Sequence, residues 1–184
     1  MNTKIHYLKH LLLTILLVAL DQYTKSLAVA HLRGKPSHVL MEGVLELTYV
    51  ENFGAAFGIL QNAQVLFILI TCVAVILICF VLIKMPLTRR MAPAHLLLTL
   101  ILAGACGNLI DRIRTVYVVD FIYFSLIDFP VFNVADICVT TACVLLIILG
   151  IVYFREEDFA FLQKTPATPG TKEDAESSGG SKEH

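Results

Sequence analysis

Val65–Ile83 reads VLFILITCVAVILICFVLI, nineteen residues without a charge, a glycine or a proline. Wound as a helix at 1.5 Å per residue, such a run covers about 28 Å, close to the thickness of a bilayer's hydrocarbon core. Further apolar runs flank it, giving spans at about 8–30, 64–83, 94–110 and 136–154. Each is near the roughly 20 residues that a crossing needs. The third is short, and the first is interrupted by Asp21, Gln22 and Lys25. The expected architecture is an all-α membrane protein of four transmembrane helices.

Composition agrees. Hydrophobic residues make up 57% of the 184 positions, charged residues only 16%, and mean hydropathy is +0.77, too apolar for an ordinary soluble domain. Fourteen basic residues face fifteen acidic ones, with no basic run interleaved with aromatics, so nucleic acid is set aside as a partner. Lys4 and Lys9 before the first run, with Ala28-Val29-Ala30 after it, have the outline of a cleaved leader. The ten residues from Asp21 to Ala30 include Asp21 and Lys25, which favours a retained span.

Cys72, Cys79, Cys106, Cys138 and Cys143 all lie in apolar runs without a Cys-x-x-Cys pair, and there behave as small hydrophobes. The histidines at 6, 10, 31, 38, 95 and 184 show no His-Glu-x-x-His or other ligand-like spacing. No metal and no cofactor is expected.

Basic residues cluster at Lys4 and Lys9, at Lys84, Arg89 and Arg90, and at Arg155 and Lys164. The positive-inside rule makes those faces cytoplasmic, with both termini inside, although Lys25, Arg33, Lys35, Arg112 and Arg114 fall on the other side. The loops 31–63 and 111–135 then share the outer face. Within the first of them Val44–Val50 alternates enough for a short strand. Gly54, Ala55, Ala56 and Gly58 follow; they serve either a tight turn or close packing, or the approach of a substrate backbone. From Gln163 to His184 the chain is rich in Pro, Gly, Ser, Thr, Lys and Glu, a composition that predicts a disordered cytoplasmic tail after a four-span unit of 1–162.

Most polar residues near the span ends converge on the outer face: Asn52, Asn108, Asp111, Arg112, Asp120, Asn133 and Asp136, with Asp21 and Lys25 pointing the same way. Carboxylates beside a membrane are costly and invite a functional explanation. Asp120 sits in a loop of β-branched character and Asp136 opens the fourth helix. They are either two unrelated interfacial acids or a pair sharing one proton, the arrangement that lets an ionised carboxylate take a proton from water while a protonated one polarises a carbonyl. Asn133 either caps the fourth helix or shares a face with Asp136. Arg112, four residues from Asn108, binds substrate carbonyls or lipid headgroups, or else pairs with Asp111 or snorkels. Asp21 and Lys25, also four apart, read as a neutralising pair within the span. Arg114 reads as an interfacial anchor and Asp128 as an exposed turn residue. A transporter would distribute ionisable groups about the midplane, whereas here the second span is featureless.

Five stretches in order, Asp21–Lys25, Asn52–Phe57, Gly104–Arg112, Val119–Phe121 and Phe132–Asp136, resemble the lipoprotein signal peptidase family, signal peptidase II, the bacterial membrane aspartyl proteases. The resemblance implies four spans with a small extracytoplasmic β-rich cradle, in a multi-pass protein of the bacterial cell membrane with its site toward the outer face. It implies Asp120 and Asp136 as the catalytic dyad, Asn52, Gly54, Asn108, Arg112 and Asn133 as substrate-binding residues, and Asp21, Lys25, Asp111 and Ala135 as support. The implied partners are membrane lipids and diacylglyceryl-prolipoproteins, cut on the N-terminal side of the lipidated cysteine; no obligate protein partner is evident. Two departures stand out. Many members have glycine before the Val-Val-Asp-Phe stretch where this chain has Val116, and valine does not take a positive φ cheaply, so a turn of different shape is expected. Ile137 stands where many have serine, removing a hydroxyl beside the second aspartate.

Overall fold

The computed structural model describes residues 3–54 and 64–162. Ala55, Ala56, Gly58 and the tail from Gln163 therefore lie outside the described residues. Four helices carry the fold: α1 (Thr3–Leu32), α2 (Gln64–Lys84), α3 (Ala92–Thr115) and α4 (Val134–Val152). All four are long and apolar enough to cross a membrane. Their outward side chains are those a soluble protein would hide: Leu16 is 64% exposed, Ile76 66% and Ile147 64%, and α2 buries no residue at all. Hydrocarbon is the solvent that suits such a surface.

α3 is the central helix, packed against α1, α2 and α4. It is not short, as its apolar run suggested, but continues through Thr115. Asp111 and Arg112 are thus helical and not part of a 111–135 loop. Small residues permit the close approach: a Cβ on Gly104 would meet the Ala135 carbonyl oxygen and come within 2.6 Å of Val139 Cγ2. A Cβ on Gly107 would lie 2.6 Å from Asp21 Oδ2. This is the packing by small residues that membrane helices favour.

The cradle is a three-stranded antiparallel sheet in the order β1 (His38–Met41), β2 (Leu45–Asn52), β3 (Val118–Tyr123). The strand expected at Val44–Val50 is its central member. Asp120 lies on β3, opposite Val50, and not in a loop; the β-branched run around it is a strand buried from Val118 to Phe121. Ala28, Val119 and Phe121 form the core that seats this sheet on α1, with Leu32, Leu47 and Tyr49 packed around it. Beyond β3 the chain turns through a short 3-10 segment, Ser125–Ile127, and Phe132 pairs back onto Ile122. That pairing delivers Asn133 to β3 just as α4 begins.

The turn from α3 into β3 departs from expectation. Val116 takes φ 73°, the left-handed conformation, so the shape glycine would allow is kept and the β-branched residue bears the strain.

Candidate active site

Asp120 and Asp136 line one cavity of about 600 Å³ together with Asn52, Gly54, Asn108 and Arg112. Each of the four carboxylate oxygens accepts an N–H. Asn52 Nδ2 donates to Asp120 Oδ2 at 2.8 Å and Asn133 Nδ2 to Asp120 Oδ1 at 2.6 Å. Asn108 Nδ2 donates to Asp136 Oδ1 at 2.8 Å and the Asn133 backbone N–H to Asp136 Oδ2 at 3.2 Å. All four donors are neutral, so they orient the pair without supplying a counter-charge. Register explains the first contact: Asn52 lies two residues beyond Val50, the cross-strand partner of Asp120, and so projects from the same face of the sheet.

Burial, followed by the charge of nearby Asp136, pushes the Asp120 carboxyl up to about 7. Its hydrogen bonds from Asn52 and Asn133 oppose that rise without cancelling it.

Asn133 caps α4, as one of its readings had it, and also reaches Asp120. Its Oδ1 accepts the Asp136 backbone N–H at 3.0 Å, closing a capping box on α4, while its Nδ2 holds Asp120. One fully buried side chain therefore ties a helix start to a strand.

Asp21, Lys25 and Asp111 lie beneath the dyad as a buried triad. Lys25 Nζ is 2.8 Å from Asp21 Oδ2 and 2.8 Å from Asp111 Oδ2, and also donates to Asn108 Oδ1 at 2.8 Å. Asp21 Oδ1 accepts the Ala135 N–H at 2.9 Å, and Asp111 Oδ2 accepts the Val119 N–H at 3.3 Å. Ala135 and Val119 each immediately precede an aspartate of the dyad. The two outer acids thus hold the backbone behind each dyad residue, and Lys25 holds both acids.

Arg112 does not pair with Asp111, which is engaged by Lys25 and by Gln22 Nε2 at 2.7 Å. The guanidinium sits 5.2 Å from the Phe67 ring centroid and, among the described residues, makes long hydrogen bonds to the Asn108 carbonyl at 3.4 Å and the Gly54 carbonyl at 3.5 Å. Among its five N–H donors, most remain available to a ligand in the cavity. Asn52 is committed to Asp120 and, through Oδ1, to the Gly54 N–H at 3.0 Å; its position is that of a holder of Asp120. Ile137 lines the cavity, and Thr140 and Thr141 on the next turn bring hydroxyls to the same wall. Asp128 is an exposed turn residue with φ 50°, bonded to the Tyr123 hydroxyl at 2.6 Å.

Sequence reasoning missed Gln22, which donates to Asp21, Asp111 and the Gly107 carbonyl. Its place inside the Asp21–Lys25 stretch was the available signal. Gly107 was missed as a spacer for Asp21.

The family model described as Signal peptidase (SPase) II matches residues 13–152. The chain belongs to the signal peptidase II family. A lipoprotein signal peptidase of Brevibacillus brevis is 47% identical over 129 residues, 70% of this chain and 85% of that protein. One from Streptococcus pyogenes is 40% identical over 145 residues, 79% of this chain and 92% of that one. Two solved bacterial membrane enzyme structures, obtained by the in meso method, superpose with TM-scores of 0.68 and 0.69 at 32% and 31% identity. They cover 78% and 79% of this chain, and 87% and 94% of their own. As a signal peptidase II member, the chain is a multi-pass bacterial membrane protein and a protease.

Proposed function

We propose that this signal peptidase II is an aspartyl endopeptidase that removes the signal peptide from diacylglyceryl-modified prolipoproteins, cutting on the N-terminal side of the lipidated cysteine. The observation that carries the reading is the pair of carboxylates in one cavity, each oxygen held by a neutral donor, with Asp120 pushed up to about 7. Such a pair keeps one proton at neutral pH, and that proton belongs to the pair.

Water between Asp120 and Asp136 gives a proton to the ionised carboxylate as its oxygen attacks the scissile carbonyl carbon, while the protonated carboxyl donates to the carbonyl oxygen. The resulting tetrahedral intermediate collapses as its C–N bond breaks. The leaving amine of the cysteine takes a proton from one carboxyl while a hydroxyl of the intermediate returns a proton to the other, restoring the single shared proton, and the new carboxyl end leaves on the signal peptide. Arg112 binds a substrate carbonyl. The acyl chains remain in lipid against the exposed helix faces, so recognition draws on the diacylglycerol as much as on peptide sequence. With the termini cytoplasmic, this chemistry lies at the outer face.

Purified enzyme should cleave a lipidated prolipoprotein and leave its unlipidated form intact, with the rate unchanged by a chelator. Equal turnover of both forms would remove the lipid from the specificity. Loss of turnover in chelator-treated enzyme that stays folded, restored only by a divalent ion, would replace the dyad with a metal mechanism.

A further inference from the structure

At the end of the bundle away from the carboxylates, the fold gathers three histidines that looked scattered in sequence. His6 and His10 lie one turn apart on α1, and His95 faces them from the first turn of α3. The ring centroids are 4.4 Å apart for His6 and His10, 4.7 Å for His6 and His95, and 5.7 Å for His10 and His95. One nitrogen from each ring lies within 4.8 Å of the others. His10 and Asp21 are eleven residues apart on α1, so the cluster sits about 16 Å along the helix from the triad below the dyad.

The hydrogen bonds point these rings at a cation. Thr99 Oγ1 donates to the His95 carbonyl at 2.7 Å, so at 2.8 Å from His10 Nδ1 it acts as acceptor. His10 Nδ1 therefore carries the ring proton, and its Nε2 is the lone-pair nitrogen. His95 is 1% exposed and His6 8% exposed, yet Nε2 of each has no hydrogen-bond partner among the described residues. Buried polar atoms are ordinarily satisfied.

We propose that His6, His10 and His95 bind a first-row divalent transition-metal ion of the zinc class, joining the start of α1 to the start of α3. Three imidazoles suit zinc, copper or nickel, and water reaching the half-buried His10 would complete a four-coordinate shell. The ion is a clamp between helices and takes no part in hydrolysis, so the proposal stands apart from the dyad reading.

The test uses the full chain in detergent, carrying no polyhistidine tag, stripped with a chelator and titrated with zinc by calorimetry. One zinc per chain should bind, and the zinc-loaded protein should unfold at a higher temperature than the stripped one. His6→Gln and His95→Gln, each removing a direct ligand, should weaken binding by more than the roughly 10- to 100-fold typical of losing an outer-sphere partner, while His31→Gln and Asp120→Asn leave it unchanged. Both cluster variants should retain peptidase activity, which certifies their fold. Cobalt in place of zinc should give the intense visible bands of a four-coordinate site, lost in His10→Gln. No zinc binding by the parent, binding unaltered in active His95→Gln, or binding lost in Asp120→Asn would each overturn the proposal.

Discussion

Among single residues, Asp120 makes the sharpest demand on pH. Its carboxyl is held at about 7 against an ordinary 3.8, by burial and then by Asp136. Between those values the folded chain keeps a proton that the unfolded chain has released. Stability therefore declines as pH rises from about 4 to about 7 and levels off above. Unfolding temperatures across that window should show this slope in the parent and lose it in Asp120→Asn. The same proton is needed for hydrolysis, so kcat/KM should fall once pH passes about 7; a rate still climbing at pH 9 would detach Asp120 from the chemistry. Val116, at φ 73°, offers a second residue test. Val116→Gly should stabilise the protein by about 1 kcal/mol, because relief of left-handed strain outweighs the added freedom of the unfolded chain. Lys25 is buried against two acids, and Lys25→Met, which leaves both unpaired, should cost about 3–5 kcal/mol in thermal unfolding.

At the scale of elements, the junction of β3 and α4 carries the site, and Asn133 is where it is made. Asn133→Ser keeps an N-cap oxygen but loses the amide that holds Asp120; a buried carboxylate oxygen is left without its donor, so stability should fall by about 1–3 kcal/mol and turnover with it. Asn133→Ala should lose about 1 kcal/mol more. Equal turnover in the two variants and the parent would remove Asn133 from the positioning of the dyad. Much of this arrangement was legible beforehand. The spans could be read because lipid permits long uninterrupted apolar runs; Asp120, Asp136, Asn52, Asn108 and Asn133 stood out as polar groups near span ends, but only the family resemblance singled them out as one site. Strands β1 and β3 were not legible. His38–Met41 is fully exposed and only four residues long, and Val118–Phe121, buried on both faces, lacks the alternation that marks a half-exposed strand. The long-range triad and the histidine cluster were hidden for another reason: Asp111 reaches Lys25, and His95 reaches His6, only through helix packing across more than eighty residues.

For the whole molecule, the distribution of polarity separates two ends of one bundle. The dyad, its triad and the sheet occupy one end, and Met85, Met91, Ala94 and the histidines occupy the other. If the termini are cytoplasmic, a cysteine placed at Lys35 in a cysteine-free background should react with a membrane-impermeant reagent added to spheroplasts, and one placed at Arg89 only after lysis. The reverse pattern would invert the orientation. The central claim is that Asp120 and Asp136 together hydrolyse the peptide bond. Its most direct test is the initial rate of cleavage of a lipidated prolipoprotein by Asp120→Asn and Asp136→Asn in reconstituted membranes. Both variants, folded and membrane-inserted, should lose at least about a hundredfold in rate; either one cleaving at near the parent rate would contradict the account.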